Sequence, residues 1–200
     1  NSKANHSATH LMHSALREIL GETDQQKGSL VNEEKLRFDF SHTGKLSEVE
    51  INEIEQIVNA EIQKSSITQT NIMSFQGAID SGALAFAEDK YGDEVRVVSL
   101  GGDFSVELCG GTHVNATGKI GLFKILSEGS TSSGIRRIEA TTGANALNYL
   151  NDKEALLNKI GALVKNKDLK KGVEQLITTN KTLEKQITTL KKANAGNVKD

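Results

Sequence analysis

The sequence predicts an α+β fold, a mostly antiparallel sheet packed with helices, followed by a long helical or coiled-coil extension. Three observations carry this reading. In residues 1–143, short segments alternate apolar and polar side chains, as Leu36, Phe38 and Phe40 do with Arg37, Asp39 and Ser41. Between them lie segments whose apolar residues recur at helical spacing. From residue 144 onward the strand signal stops and a heptad appears, which divides the chain into 1–143 and 144–200.

The elements follow in order. Residues 6–20 read as an amphipathic helix with Leu11, Ala15 and Leu16 as its stripe, Asn5 as N-cap and Gly21 as C-cap. The run 25–31 passes from polar to apolar, a turn into a short strand, and 36–41 is a half-buried strand broken by Thr43-Gly44. Ile51, Ile54, Ile57, Val58 and Ile62 mark a second helix to about residue 63, and Ser47 with Glu50 forms a capping-box pattern. An edge strand at 66–73 and a short helix at 75–86 are expected next. Strands at 94–100 and 104–108 join through Gly101-Gly102-Asp103 as a hairpin turn, which delivers Cys109 at its end. Two further strands, 121–127 and 135–140, are joined by a Gly/Ser/Thr loop at 128–134.

After residue 144 the chain is helical to about 193. Val173, Asn180 and Ile187 occupy one heptad core position and Leu176, Leu183 and Leu190 the other. The earlier Leu147, Leu150, Leu157, Ile160 and Leu163 do not run into that register. A break near 165–168 therefore marks either a helix hairpin or one long helix with a skip.

Composition narrows the class. An apolar content of 36% without Trp is low for one compact domain, so part of the chain is expected to be extended. One cysteine excludes an internal disulfide, and no apolar run is long enough for a membrane span. A soluble protein of a reducing, cytoplasmic compartment is expected, and the opening Asn reads as a fragment or a processed chain. Net charge is −2 but uneven: residues 1–150 carry 13 basic and 20 acidic side chains, residues 151–200 carry 11 lysines and 6 acids. A basic tail suits a nucleic-acid backbone or an acidic partner, and a plain solvated lysine-rich helix has the same composition.

Two short stretches carry chemistry. His6 and His10, four apart, share one helix face and can hold one metal ion, and Cys109 and His113 repeat that separation. Three imidazoles and a thiolate make a tetrahedral zinc set. An isolated His pair of this kind more often lies on a solvated face; the second pair changes the balance. Gly110 and Gly111 allow the tight backbone that a ligand pair on a turn requires. His13 lies on the same face, where it could replace His6 or His10, support a ligand, or face a substrate.

The segments NHSATHLMHSALR, QQKGSLV, LRFDFSH, YGDEVRVVS, FSVELCGGTHV, GLFKI with SEG, and GIRRIEA with TG together closely resemble the editing region of the alanyl-tRNA synthetase family. The resemblance runs from about residue 5 to 145, in the family's order, and the helices that follow are similar to its link toward a C-terminal domain. Related modules occur in free-standing alanyl-tRNA editing proteins and in threonyl-tRNA synthetase. The double glycine at 101–102 is one residue longer than the usual form. The resemblance implies a zinc-binding editing domain at 1–143 that hydrolyses serine or glycine from mischarged alanine tRNA, with the ligase domain outside this chain. A pocket shaped for alanine rejects those two amino acids poorly, so a second site must check the product. It implies His6, His10, Cys109 and His113 as zinc ligands and Thr9 and Gln26 beside the substrate, and it makes the tRNA acceptor end and the rest of the synthetase the partners.

Each implied role has a plainer competitor. Thr9 reads otherwise as a helix residue bonded to its own preceding carbonyl and Gln26 as a surface amide; Gly110, Gly111 and the 128–134 loop, whose backbone N–H groups could approach the ester oxygen or the terminal adenosine, read otherwise as turn residues. Arg136 and Arg137 are candidates for phosphate contacts; strand neighbours point to opposite faces, so one of the two is expected to pair with a carboxylate instead. Zinc could activate water for attack on the ester or fix the substrate's amino group or ribose hydroxyl. The competing reading is a zinc-stabilised module that binds tRNA or dimerises through its C-terminal helix, with no hydrolysis.

Overall fold

The computed structural model describes residues 1–21, 26–85 and 92–196. Its chain forms two compact units, residues 1–148 and 149–200.

The first unit is built on α1 (Ser2–Leu20), which touches strands of both of its sheets. Ala8, Leu11, Met12, Ala15 and Leu16 are buried on its inner face. The first sheet has the order β1 (Gln26–Val31), β2 (Leu36–Ser41), β7 (Ile135–Thr142), β6 (Phe123–Ser132), all antiparallel. Its register sets Phe38 opposite Ile138 and Leu36 opposite Ala140, so the inward face is continuous across the middle of the sheet. The second sheet has the order β3 (Gln69–Ser74), β4 (Glu94–Leu100), β5 (Ser105–Leu108), also antiparallel. The expected mostly antiparallel sheet is therefore two sheets. The larger core joins α1, α2 (Glu48–Gln63) and the four-stranded sheet; a smaller one gathers Ala78, Ala83, Val95, Val97 and Leu108.

Local signals decide several boundaries. Ser47 caps α2 in a full capping box with Glu50. Gly21 ends α1 at φ 99°, its N–H donating to Arg17 O. Asn5, however, is no cap. α1 begins upstream, with Asn1 as its N-cap, and the Asn5 amide is committed to the sheet: Nδ2 donates to Asn32 O at 2.9 Å and Oδ1 accepts from Thr142 at 2.7 Å. The expected loop at 128–134 is mostly strand as well. β6 continues to Ser132, and two residues, Ser133 and Gly134 (φ 70°), turn the chain into β7. The helix expected at 75–86 is α3 (Phe75–Asp80), and residue 86 lies outside the described residues.

In the second unit, α4 (Gly143–Val164), which starts in the first unit, ends where Lys165 takes φ 53°. α5 (Leu169–Gly196) starts on Asp168, whose side chain accepts from Lys171 N. Leu169 meets Gly161 and Val164 meets Gly172 at the junction. The heptad residues of α5 are all exposed, Leu176 at 57% and Leu190 at 63%. Among the described residues no helix is long and apolar enough to cross a membrane.

Candidate metal centre

Helix α1 presents His6 and His10 one turn apart beside the loop that follows β5. That loop is held at several points. Cys109 N donates to Arg96 O on β4, and the Arg96 guanidinium donates to Cys109 O at 2.9 Å and Gly111 O at 2.5 Å. Ser7 on α1 accepts from Val114 N at 3.1 Å. Gly111 lies so close to α1 that a Cβ there would stand 2.8 Å from His6 Nδ1 and nearer still to its ring carbon, whereas Gly110 faces open space. Only the second glycine is required by packing.

The result is a cluster. One ligand atom from each of His6, His10, Cys109 and His113 lies within 4.8 Å of every other. Cys109 Sγ is 3.6 Å from His6 Nε2 and 3.4 Å from His113 Nε2. Tetrahedral bonds of about 2.0–2.3 Å give ligand separations of roughly 3.3–3.8 Å, so these edges match a metal of zinc's size. The rings are turned to suit. His6 Nδ1 lies 3.2 Å from Thr112 O and His113 Nδ1 3.2 Å from Ser7 Oγ, and His10 Nδ1 meets Glu107 Oε2. Each imidazole thus has an oxygen at Nδ1 and directs Nε2 inward. His10 Nε2 is buried without a hydrogen-bond partner in the protein, an orphan that a cation would satisfy. The residues present fit a zinc ion.

Electrostatics treat the four side chains unequally, favouring the Cys109 thiolate and the protonated form of His10. Cys109 is brought down to about 3: burial opposes the thiolate, and the surrounding imidazoles outweigh it. Glu107 falls to about 2 although it is fully buried, because His10 and His13 favour the carboxylate more than burial disfavours it. His10 rises to about 10, burial opposing and the Glu107 charge prevailing. His113 is lowered, by burial first and by the positive charge of His10 and His6 after it.

Beside the cluster opens a cavity of about 150 Å³, lined among others by Thr9, His13, Gln26, Ser29 and Phe38. Thr9 Oγ1 donates to Asn5 O at 2.9 Å, the helix bond of its plainer reading, and Thr9 also lines the cavity. His13 stands outside the four-atom cluster; its Nδ1 is 2.8 Å from Glu107 Oε1. Arg136 and Arg137 are not at the cavity. Both are paired, where one was expected to be: Arg136 with buried Glu128 at 2.5 Å, Arg137 with both oxygens of Asp39 at 2.7 and 2.8 Å. They point to opposite faces as strand neighbours must, but each face supplies its own carboxylate. Sequence reasoning missed Glu107. The signal was the period of β5, where Ser105 and Glu107 share the buried face.

Known proteins place the chain. The family of the threonyl and alanyl tRNA synthetase second additional domain matches residues 95–139, which include all of β4 but Glu94, the whole of β5, Cys109 and His113. The alanine–tRNA ligase of Pseudomonas fluorescens is 53% identical over 93% of this chain, and that of Cupriavidus necator 52% over 94%. The enzyme of the same name from Paraburkholderia xenovorans is 51% identical over 94%. The chain covers 22%, 21% and 21% of those proteins, about a fifth of their length. At that identity over nearly all of its residues, the chain belongs to the alanine–tRNA ligase family and corresponds to a part of such an enzyme.

Proposed function

We propose that this part of the ligase is its editing portion, which hydrolyses Ser-tRNA(Ala) or Gly-tRNA(Ala) at a zinc site held by His6, His10, Cys109 and His113. The observation that carries the reading is the adjacency of that ligand cluster to a small cavity into which Thr9, His13 and Gln26 bring polar groups. Zinc held by these four residues would supply Lewis acidity for attack on the ester. The chain's own groups do the rest. Thr9, its proton given to Asn5 O, accepts a hydrogen bond from a seryl hydroxyl or from the ammonium group. Gln26 at the cavity wall orients the aminoacyl group by its amide. The cavity volume of about 150 Å³ admits a glycyl or seryl group and has little room for large side chains.

Residues 1–143 form the editing domain in this reading and 144–200 the helical extension. The partners are the acceptor end of tRNA(Ala) and the remainder of the synthetase, in the cytoplasm. Arg137, with its side chain 36% exposed, keeps donors for a phosphate beyond its pair with Asp39; Arg136 is more enclosed, its side chain 13% exposed beside Glu128. The exposed apolar face of α5 favours a second role, binding or pairing with another copy of that helix.

The test is deacylation of serine-charged alanine tRNA by the chain and by Cys109→Ala, with zinc content and circular dichroism followed in parallel. Hydrolysis and zinc lost together in a folded variant support editing here. Zinc and tRNA bound by the parent chain with no hydrolysis would leave the binding role alone.

A further inference from the structure

Glu107 is a carboxylate where the fold asks for a hydrocarbon. It sits on the buried face of β5 with 1% of its surface exposed. Burying a charge there is costly unless its oxygens are satisfied. Each oxygen has one partner, and both partners are imidazoles of α1: Oε2 meets His10 Nδ1, and Oε1 lies 2.8 Å from His13 Nδ1. A carboxylate accepts, so both Nδ1 atoms donate. An imidazole that donates from Nδ1 and is to ligate must do so from Nε2, and the Nε2 of His10 is the buried orphan among the ligand atoms. On the other side His13 lines the cavity and packs on Phe38, ring centroids 5.3 Å apart.

We infer that Glu107 is a positioning residue of this site, which fixes His10 in its ligating orientation and ties the metal centre to His13 at the cavity wall. The inference rests on the metal reading given above. One carboxylate thereby sets the tautomer of a ligand and the ring plane of a substrate-side group. Neither ring can turn without releasing an oxygen that is sealed from water.

The test compares the full chain with Glu107→Gln, Glu107→Ala and, as a control on the same buried face of β5, Ser105→Ala. Zinc dissociation constants are measured by competition with a chromophoric chelator, thermal melting is followed without metal, and ¹⁵N histidine spectra report the tautomer. Glu107→Gln retains an acceptor for one imidazole only. It is expected to weaken zinc binding about 10- to 100-fold and to mix the His10 tautomers, with Ser105→Ala unchanged. If Glu107→Ala fails to fold, the near-isosteric Gln variant decides. Lower melting temperatures with zinc affinity and tautomer intact would make Glu107 merely structural and overturn the inference. Failure of the parent chain to bind zinc would overturn the metal reading itself and this inference with it, an outcome separable from the first.

Discussion

Gly111 sets how closely the cysteine loop approaches α1. A methyl group there must displace the His6 ring, while the same change at Gly110 meets open space. Gly111→Ala is therefore expected to weaken zinc binding at least about tenfold, as loss of a ligand's support does, and Gly110→Ala to leave it unchanged. Equal affinities in a chelator competition would remove the contact from the account. Protons should behave as distinctively. Cys109 is already a thiolate at neutral pH, but His10, raised to about 10, carries a proton there that zinc at Nε2 must replace. Loading should release about one proton at neutral pH, and affinity should climb with pH toward the His10 value. Calorimetry in two buffers of different ionisation enthalpy measures this directly, and a proton count of zero would contradict it. The four positions that cluster, His6, His10, Cys109 and His113, were legible from spacing because a helix face and a tight glycine turn are local properties. Glu107 was not, since an acid in a strand is ordinarily on the wet side. Only the packing of α1 across β5 turns that side into an interior.

At the scale of elements, residues with local duties were read correctly and residues with distant partners were not. Ser47 and Glu50 satisfy each other within three positions, so their pattern suffices. Ser47→Ala should cost about 1 kcal/mol in denaturant unfolding while zinc affinity holds. Asn5 has the side chain of a cap, yet its partners are 27 and 137 residues away, and no local rule contains them. The hairpin of β6 and β7 shows the same limit. The segment 128–132 is rich in Gly, Ser and Thr and reads as a loop. It extends as strand because β7 offers pairing opposite as far as Ser132, with an irregularity between Ser130 and Ser132 and with Arg136 and Glu128 closing one face.

At the scale of the whole molecule, the two units differ in what they bury. Residues 1–148 enclose two cores, whereas the heptad side chains of α5 remain half in water. The sequence left a hairpin or a skipped helix open at 165–168; the break falls there, one helix stopping at Val164 and the next capped by Asp168, which excludes one long helix. If a second copy covers the α5 face, with Asn180 setting the register, sedimentation should show association that Leu176→Glu with Leu183→Glu abolishes. A parent chain that stays monomeric at high concentration would exclude that pairing. The centre in the first unit has an implication for how the protein is made. His6 leaves the ribosome 103 residues before Cys109. At about 5–20 residues per second that is a wait of roughly 5–20 s, during which half a chelate stands ready with nothing to close it. If zinc binds as proposed, a chain interrupted anywhere in that interval carries His6 and His10 without Cys109 and His113, so a bound ion would certify that translation has passed the thiolate.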